Sequence, residues 1–193
     1  EEVFRRMERT GEMVLTSQPS TGSIQGAVHK IKEAGYDHII ALPIATGLSS
    51  TLNGMKLACD MVKIPVTLID TKATASNQRY LIRVAKKLID EGKSVEEIEK
   101  ILTSLVEDSG TLIMVPNLDH LKKGGRITPA VAILGNLLKI VPVMKLNYKL
   151  GGKIDTFDKV RTIKKANLRI IDHLVNDCHV NNKDYIIAIE HVL

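Results

Sequence analysis

The stretch Ile39-Ile-Ala-Leu-Pro-Ile-Ala-Thr-Gly-Leu-Ser-Ser-Thr-Leu-Asn-Gly54 decides how the rest of the chain reads. Ile39 to Ile44 is an unbroken apolar run of strand length, as expected of a strand covered on both faces in a parallel sheet. The composition then changes at once. Thr46, Ser49, Ser50 and Thr51 place four hydroxyls within six residues, around Gly47. A helical pattern follows, with Leu52, Met55, Cys59 and Val62 on one face. A strand therefore ends, a hydroxyl-rich loop turns the chain, and a helix begins. Open α/β sheets bind ligands beyond the carboxyl ends of their strands. A helix start adds free N–H donors and a positive dipole end, which suit an anion. Ser49 or Ser50 serves equally well as a plain N-cap, but four hydroxyls exceed what capping needs. The loop has neither G-x-G-x-x-G spacing nor a P-loop lysine, so a nucleotide phosphate is not the favoured anion.

Upstream, Glu1–Arg9 reads as a helix and Met13-Val-Leu15 as a short extended piece. Thr16-Ser17-Gln18-Pro19-Ser20 is a second hydroxyl-rich loop, in which Pro19 biases Gln18 toward extended geometry. Thr21 or Ser23 caps the next helix, whose inward face is Ile24, Ala27, Val28 and Ile31 and whose stop is Gly35. Two loops of this kind can converge on one anion; taken alone, Thr16 and Ser17 are ordinary turn residues. Downstream, Val66–Ile69 is another β-rich run ending at Asp70, followed by a polar loop with Thr71, Thr74 and Ser76. Leu81, Val84, Ala85, Leu88 and Ile89 mark an amphipathic helix ended by Gly92. Ser94-Val-Glu-Glu97 is a capping box for a helix that turns Ile98, Ile101, Leu102 and Leu105 inward. Strand–helix–strand–helix order predicts a parallel sheet with crossover helices. The two helices between 78 and 106 have no strand between them and suggest a domain edge.

The second half has a different rhythm. Thr111–Val115 is a strand ended by Pro116, and Leu118–Lys123 is a short helix. Gly124-Gly125-Arg126 is a tight break carrying a cation, and Leu134, Leu137 and Leu138 form a helical patch. Val141–Lys145 and Ile154–Val160 flank Gly151-Gly152 as a hairpin whose loop can exceed two residues. Ile163, Ala166, Ile170 and Leu174 define a long helix, and Tyr185–Ile189 reads as a last strand. The expected architecture is two-domain α/β: a parallel-sheet domain over residues 1–109 and an α+β domain over 110–193. The chain begins on Glu1 in a helix-like segment and stops just after a strand-like run, so it reads as truncated at both ends.

Composition narrows the function classes. Aromatic content is 3% with no Trp, which disfavours stacking platforms for single-stranded nucleic acid. Cys59 and Cys178 lie far apart without metal-type spacing, and a reduced, cytoplasmic setting is the simplest expectation. No run approaches a membrane span. Residues 1–109 carry 14 Lys/Arg against 15 Asp/Glu, whereas residues 110–193 carry 13 against 7. The basic second half suits an acidic partner or surface, or simply keeps the surface hydrated. The six histidines are dispersed, and no zinc pattern, G-x-S-x-G elbow or paired-carboxylate site stands out. The residues favour binding over bond-breaking.

Four motifs, in order, resemble those of the DegV family, the bacterial fatty-acid-binding proteins that serve fatty acid kinase. They are Thr16-Ser-Gln-Pro19, Gly47-Leu-Ser-Ser-Thr51, Leu121-Lys-Lys-Gly-Gly-Arg-Ile127 and Lys159-Val-Arg-Thr162. Leu68-Ile-Asp70 and Leu138-Lys-Ile-Val-Pro142 match as well. The resemblance implies a two-domain α/β carrier, not an enzyme, that holds one long-chain fatty acid as its ligand, with no other cofactor and no metal. The tail would lie in an apolar tunnel. The carboxylate would meet Thr16 and Ser49 at the domain junction, with Ser17, Ser50 and Thr51 close by. Arg126 and Arg161 would face the head group or the partner, a fatty acid kinase catalytic subunit that makes the acyl phosphate; transient membrane contact fits such a carrier. The chain departs from the family at Ser50, usually glycine, at Leu52, often tyrosine, and at Asn77-Gln78, where the family has a glycine-containing stretch. It also lacks the opening T-D-S strand and the late H-x-G-P-G motif, so His191 does not inherit the histidine role. Two other readings stay open: a small-anion or nucleotide-binding enzyme subunit, and a basic regulatory or nucleic-acid-binding module.

Overall fold

The computed structural model describes residues 2–12, 14–115, 118–134, 140–181 and 183–191. Helix α1 (Glu2–Thr10) is followed by a segment to Ser20 whose described residues are exposed. Helix α2 (Thr21–Glu33), strand β1 (Ile39–Ala41), helix α3 (Thr51–Val62), strand β2 (Val66–Leu68) and helices α4 (Ala75–Asp90) and α5 (Val95–Glu107) complete the first half. β1 and β2 pair in parallel, Ile39 with Val66 and Ala41 with Leu68. The apolar run at Ile39 has the cause its composition implied. Ile39 and Val66 pack on the α2–α3 side with Ile24, Val28, Ala58, Cys59 and Val62. Ile40 and Leu42 pack on the α4–α5 side with Leu81, Ala85, Leu88, Ile98 and Leu102. A strand covered on both faces needs apolar residues at every position, because successive side chains point to opposite faces.

In the second half, strands β3 (Gly110–Met114), β4 (Val141–Asn147) and β5 (Asp155–Val160) form an antiparallel sheet in the order β3-β4-β5. The β4–β5 connection runs through a short 3-10 turn, Tyr148–Leu150, then Gly151 and Gly152, both at positive φ. Helices α6 (Asp119–Gly124) and α7 (Pro129–Leu134) lie with one face of the sheet, joined to it by the cluster of Leu118, Val131, Met144, Leu146 and Ile154. Helix α8 (Ile163–Asp172) lies against β4 and β5 and buries Ala166. Ala45 and Leu48, from the hydroxyl loop of the first half, plug into the cluster around Val131 and Met144. The two halves therefore share a core at the very loop that the sequence singled out.

Several local expectations are corrected. Ser20, not Thr21 or Ser23, caps α2, its hydroxyl accepting from Ser23 N at 3.1 Å. Ala27 is exposed, since α2 touches its neighbours through the narrower stripe of Ile24 and Val28. Ile89, Ile101 and Ile163 are exposed as well, on helix faces that the packing covers only at the centre. Tyr185–Ile189 forms no strand: it runs exposed beside α4, with Ile186 and Ala188 near Tyr80, Val84 and Leu88. Its β-rich composition favours extended backbone, but a strand also needs an edge to pair with. Val14 and Leu15 lie exposed outside any strand. Met13, the strand stop at Pro116, and Leu137 and Leu138 with the start of the Leu138–Pro142 motif lie outside the described residues.

Candidate functional site

The hydroxyl loop is held from below by the loop after β2. Fully buried Thr71 donates its hydroxyl to Pro43 O at 2.7 Å, and Ala45 N donates to Ala73 O at 2.8 Å. Asp70 receives Thr46 N at 3.2 Å, Lys72 N at 3.1 Å, Lys72 Nζ at 2.6 Å and the Thr46 hydroxyl. Burial pushes the Asp70 carboxyl up, but the hydrogen bonds from Lys72 and Thr46 outweigh it and leave it below its ordinary value. Thr46 is thereby committed to Asp70, and its hydroxyl is a brace.

The other three hydroxyls have different fates. Ser49 Oγ and Thr51 Oγ1 lie 2.7 Å apart, and Thr51 N donates to Ser49 Oγ at 3.3 Å. Ser50 occupies the N-cap position of α3, yet its side chain makes no capping hydrogen bond. Capping thus does not consume Ser50, which is exposed and lines an open cleft of about 330 Å³ with Gln18, Thr46, Gly47, Leu48, Ser49 and Arg126.

Arg126 joins the two hydroxyl loops. It follows Gly125, which ends α6 in the left-handed conformation at φ +69° and turns the chain toward the cleft. Its guanidinium donates to Gly124 O at 2.6 Å, to Thr16 O at 3.0 Å and, through Nε, to Leu48 O at 3.4 Å. All three acceptors are neutral carbonyls, and among the described residues no carboxylate is ion-paired with Arg126. The cation is half-buried and, among the described residues, has no carboxylate partner; it lies next to two serine hydroxyls and the start of a twelve-residue helix. That combination attracts an anion.

The expected site residues divide accordingly. Ser49 and Ser50 line the cleft, and Thr51 stands behind them, bonded to Ser49. Thr16 is brought to the same place through its carbonyl, while Gln18 is the member of its loop that lines the cleft; Ser17 is exposed beside it. Arg161 is not brought there. The Ile127–Ile154 bridge ties the near end of β5 to Arg126, and Arg161 follows the far end. A strand of this length, at about 3.3 Å per residue, puts it roughly 20 Å away. The apolar cluster of Leu118, Leu121, Ile127, Val131 and Met144 begins behind Leu48.

Three contributors stand out only in the structure. Gln18 belongs to the Thr16-Ser-Gln-Pro19 motif, but nothing in that motif singles out its side chain, rather than those of Thr16 and Ser17, as the one that lines the cleft. The Asp70–Thr46 brace has one, a carboxylate at a strand end facing a hydroxyl loop. Gly47 looks like a spacer in sequence but is a steric requirement. A Cβ there would lie 2.5 Å from the Gly152 carbonyl carbon and 2.8 Å from Lys153 N, so its bare backbone is what lets the hairpin tip of the second half close on the loop. Among the described residues no group of three or more His, Cys, Asp or Glu could hold a metal ion, and no helix is long and apolar enough to cross a membrane.

Residues 1–192 match the profile of a family described as uncharacterised protein, DegV family. A DegV domain-containing protein of Streptococcus pneumoniae is 33% identical over 173 residues, which are 89% of this chain and 61% of that protein. A protein of Thermotoga maritima named fatty acid-binding protein is 32% identical over 188 residues, 96% of this chain and 64% of its own length. This chain thus spans less than two-thirds of these relatives. Among solved structures, a fatty-acid-binding DegV family protein of Streptococcus agalactiae superposes with a TM-score of 0.82 at 33% identity, over 91% of this chain and 63% of that one. DegV of Bacillus subtilis, a fatty acid binding protein, gives 0.77 at 31% over 91% and 61%.

Proposed function

Because this chain belongs to the DegV family, we propose that it binds a long-chain fatty acid and presents the carboxyl end to a kinase subunit that converts it to an acyl phosphate. The observation that carries this reading is Arg126, whose guanidinium meets only carbonyl oxygens among the described residues, beside Ser49 and Ser50 at the mouth of a cleft backed by an apolar core. The carboxylate would take the hydroxyls of Ser49 and Ser50, with Thr16, Ser17 and Thr51 forming and supporting the surrounding loops. Arg126 supplies the positive field. The tail would run behind Leu48 toward Leu121, Ile127 and Val131, each buried methylene contributing about 0.8 kcal/mol before binding costs. A carrier fits the chemistry better than an enzyme: hydroxyls and a guanidinium hold a carboxylate, and the cleft lining of Gln18, Thr46, Gly47, Leu48, Ser49, Ser50 and Arg126 offers no evident general base. Arg161, exposed and remote from the cleft, is better suited to a partner surface than to the head group.

Native mass spectrometry of the protein before and after solvent extraction tests the reading. A bound long-chain acid should appear, return on adding oleate, and bind at least about tenfold more weakly in Ser49→Ala, as losing a hydrogen bond to a charged group implies. Stabilisation by phosphate or a nucleotide, with none by oleate, would favour the small-anion enzyme subunit instead. Salt-dependent retention on DNA would favour the basic module.

A further inference from the structure

The second half carries a cluster that fatty-acid binding does not use. Helix α8 ends at Asp172, and the chain continues through one π-helical turn, His173–Asp177, closed by Cys178 N donating to His173 O at 2.9 Å. In an α-helix, at about 100° per residue, a residue five positions on sits about 140° round the axis. The wider i→i+5 turn swings it back toward its starting residue, and such turns are frequent at functional sites. Cys178 Sγ therefore comes to 3.4 Å from His173 Nε2, while His173 Nδ1 lies 2.7 Å from the Asp177 carboxylate.

The surroundings suit proton transfer. In the tautomer whose Nδ1–H donates to Asp177, the Nε2 lone pair faces both the Cys178 thiol and the Lys145 ammonium, and it takes the thiol proton only when it gives up the lysine. His173 is buried and lies against Phe157, ring centroids 4.4 Å apart, which restrains the imidazole. Cys178 is only half-buried, so a reagent can reach its sulfur. Lys145, from β4, brings Nζ to 3.1 Å from the same Nε2 and adds a second positive charge to the sulfur's surroundings. Arg169, on α8, pairs with Asp158 of β5 at 2.7 Å, with Asp172 at 3.1 Å and with Asp177 at 3.6 Å. Two cations and three carboxylates thus surround the cluster. A thiolate formed by passing its proton to Nε2 would have positive charge beside it.

We propose that Cys178 is a nucleophilic thiol, activated by His173 and Asp177, that small-molecule disulfides modify by thiol–disulfide exchange. The Cys178 thiolate attacks one sulfur of the disulfide. A Cys178–sulfur bond forms, the original disulfide bond breaks, and the released thiolate takes the proton held on His173. The small disulfide is the oxidant, and the step is reversed by added thiol. Cys59 is the internal contrast: it is buried, and burial with neighbouring Asp60 pushes its thiol up.

The test follows the whole chain with oxidised glutathione from pH 5 to 9, locating the adduct by peptide mass. Cys178 should react at least about tenfold faster at pH 6 than it does in His173→Gln, with the two rates converging above the ordinary thiol pKa of about 8.5. Asp177→Asn removes an exposed carboxylate and keeps the imidazole against Phe157, so it reports even if His173→Gln fails to fold; it should show the same loss at low pH. A Cys178 rate that follows a single ordinary thiol titration, unchanged in Asp177→Asn, overturns the proposal. So does modification of Cys59 in preference to Cys178.

Discussion

Replacing Gly47 by alanine tests how the two halves are joined. The added Cβ would lie 2.8 Å from Lys153 N, 2.5 Å from the Gly152 carbonyl carbon, and nearer still to its oxygen. These are backbone atoms of a tight turn, held by Gly152 N donating to Asn147 O at 3.0 Å and Lys153 N to Leu150 O at 3.2 Å. No side chain can rotate away. Restoring ordinary separations of about 3.5–4.0 Å requires the loop and the hairpin tip to part by about 1 Å. That movement withdraws Ala45 and Leu48 from the shared apolar cluster. Overpacking of this kind costs about 1–3 kcal/mol. For a chain of this size, at about 2–4 °C per kcal/mol, the melting midpoint should fall by roughly 2–12 °C. Thermal unfolding followed by circular dichroism measures it, and oleate affinity measured alongside should fall too, because Gly47 and Leu48 line the cleft. Gly26→Ala is the control: an added Cβ there meets nothing within 4 Å on a helix, so it should stabilise by about 0.5–1 kcal/mol. An unchanged midpoint and unchanged oleate affinity in Gly47→Ala would refute the interlocking of the halves at this point.

Two further perturbations probe the braces. The Asp70 carboxyl is held below its ordinary value in the folded protein, so its contribution to stability is present above the unfolded carboxyl pKa and is lost as pH falls through the lower folded value. Asp70→Asn should therefore destabilise at pH 7 and flatten the acid limb of a stability-against-pH curve from urea titrations; an acid limb of unchanged slope counts against the brace. Ser94→Ala removes the side chain that accepts from Glu97 N in the α5 capping box, and should cost about 1 kcal/mol by urea unfolding with no effect on oleate binding.

The parts of the fold readable from sequence are those whose causes are local. The Ser94 capping box needs only four consecutive residues, and it is present as expected. The unbroken Ile39 run requires apolar cover on both faces, and α2–α3 and α4–α5 provide it. Gly151 and Gly152 announce a hairpin because positive φ is cheap only for glycine, and the hairpin is there. Tyr185–Ile189 shows the limit of such reasoning. Its composition favours extended backbone, but pairing depends on an edge elsewhere in the chain.

The candidate site divides in the same way. Residue types alone identified two hydroxyl loops and a cation after paired glycines, and strand-end logic placed the loops at helix starts. Which hydroxyls remain available was decided by folding: Asp70 takes Thr46, Thr51 pairs with Ser49, and Ser50 is left in the cleft. The link from Arg126 to Thr16 spans 110 positions, and Gly47 meets Gly152 only because their loops come from different halves. Hydrogen bonds and steric fits of that kind depend on three-dimensional separation, which no local pattern encodes. Propensity and periodicity act over a few residues, whereas the cleft is made where distant segments are pressed together by a common apolar core.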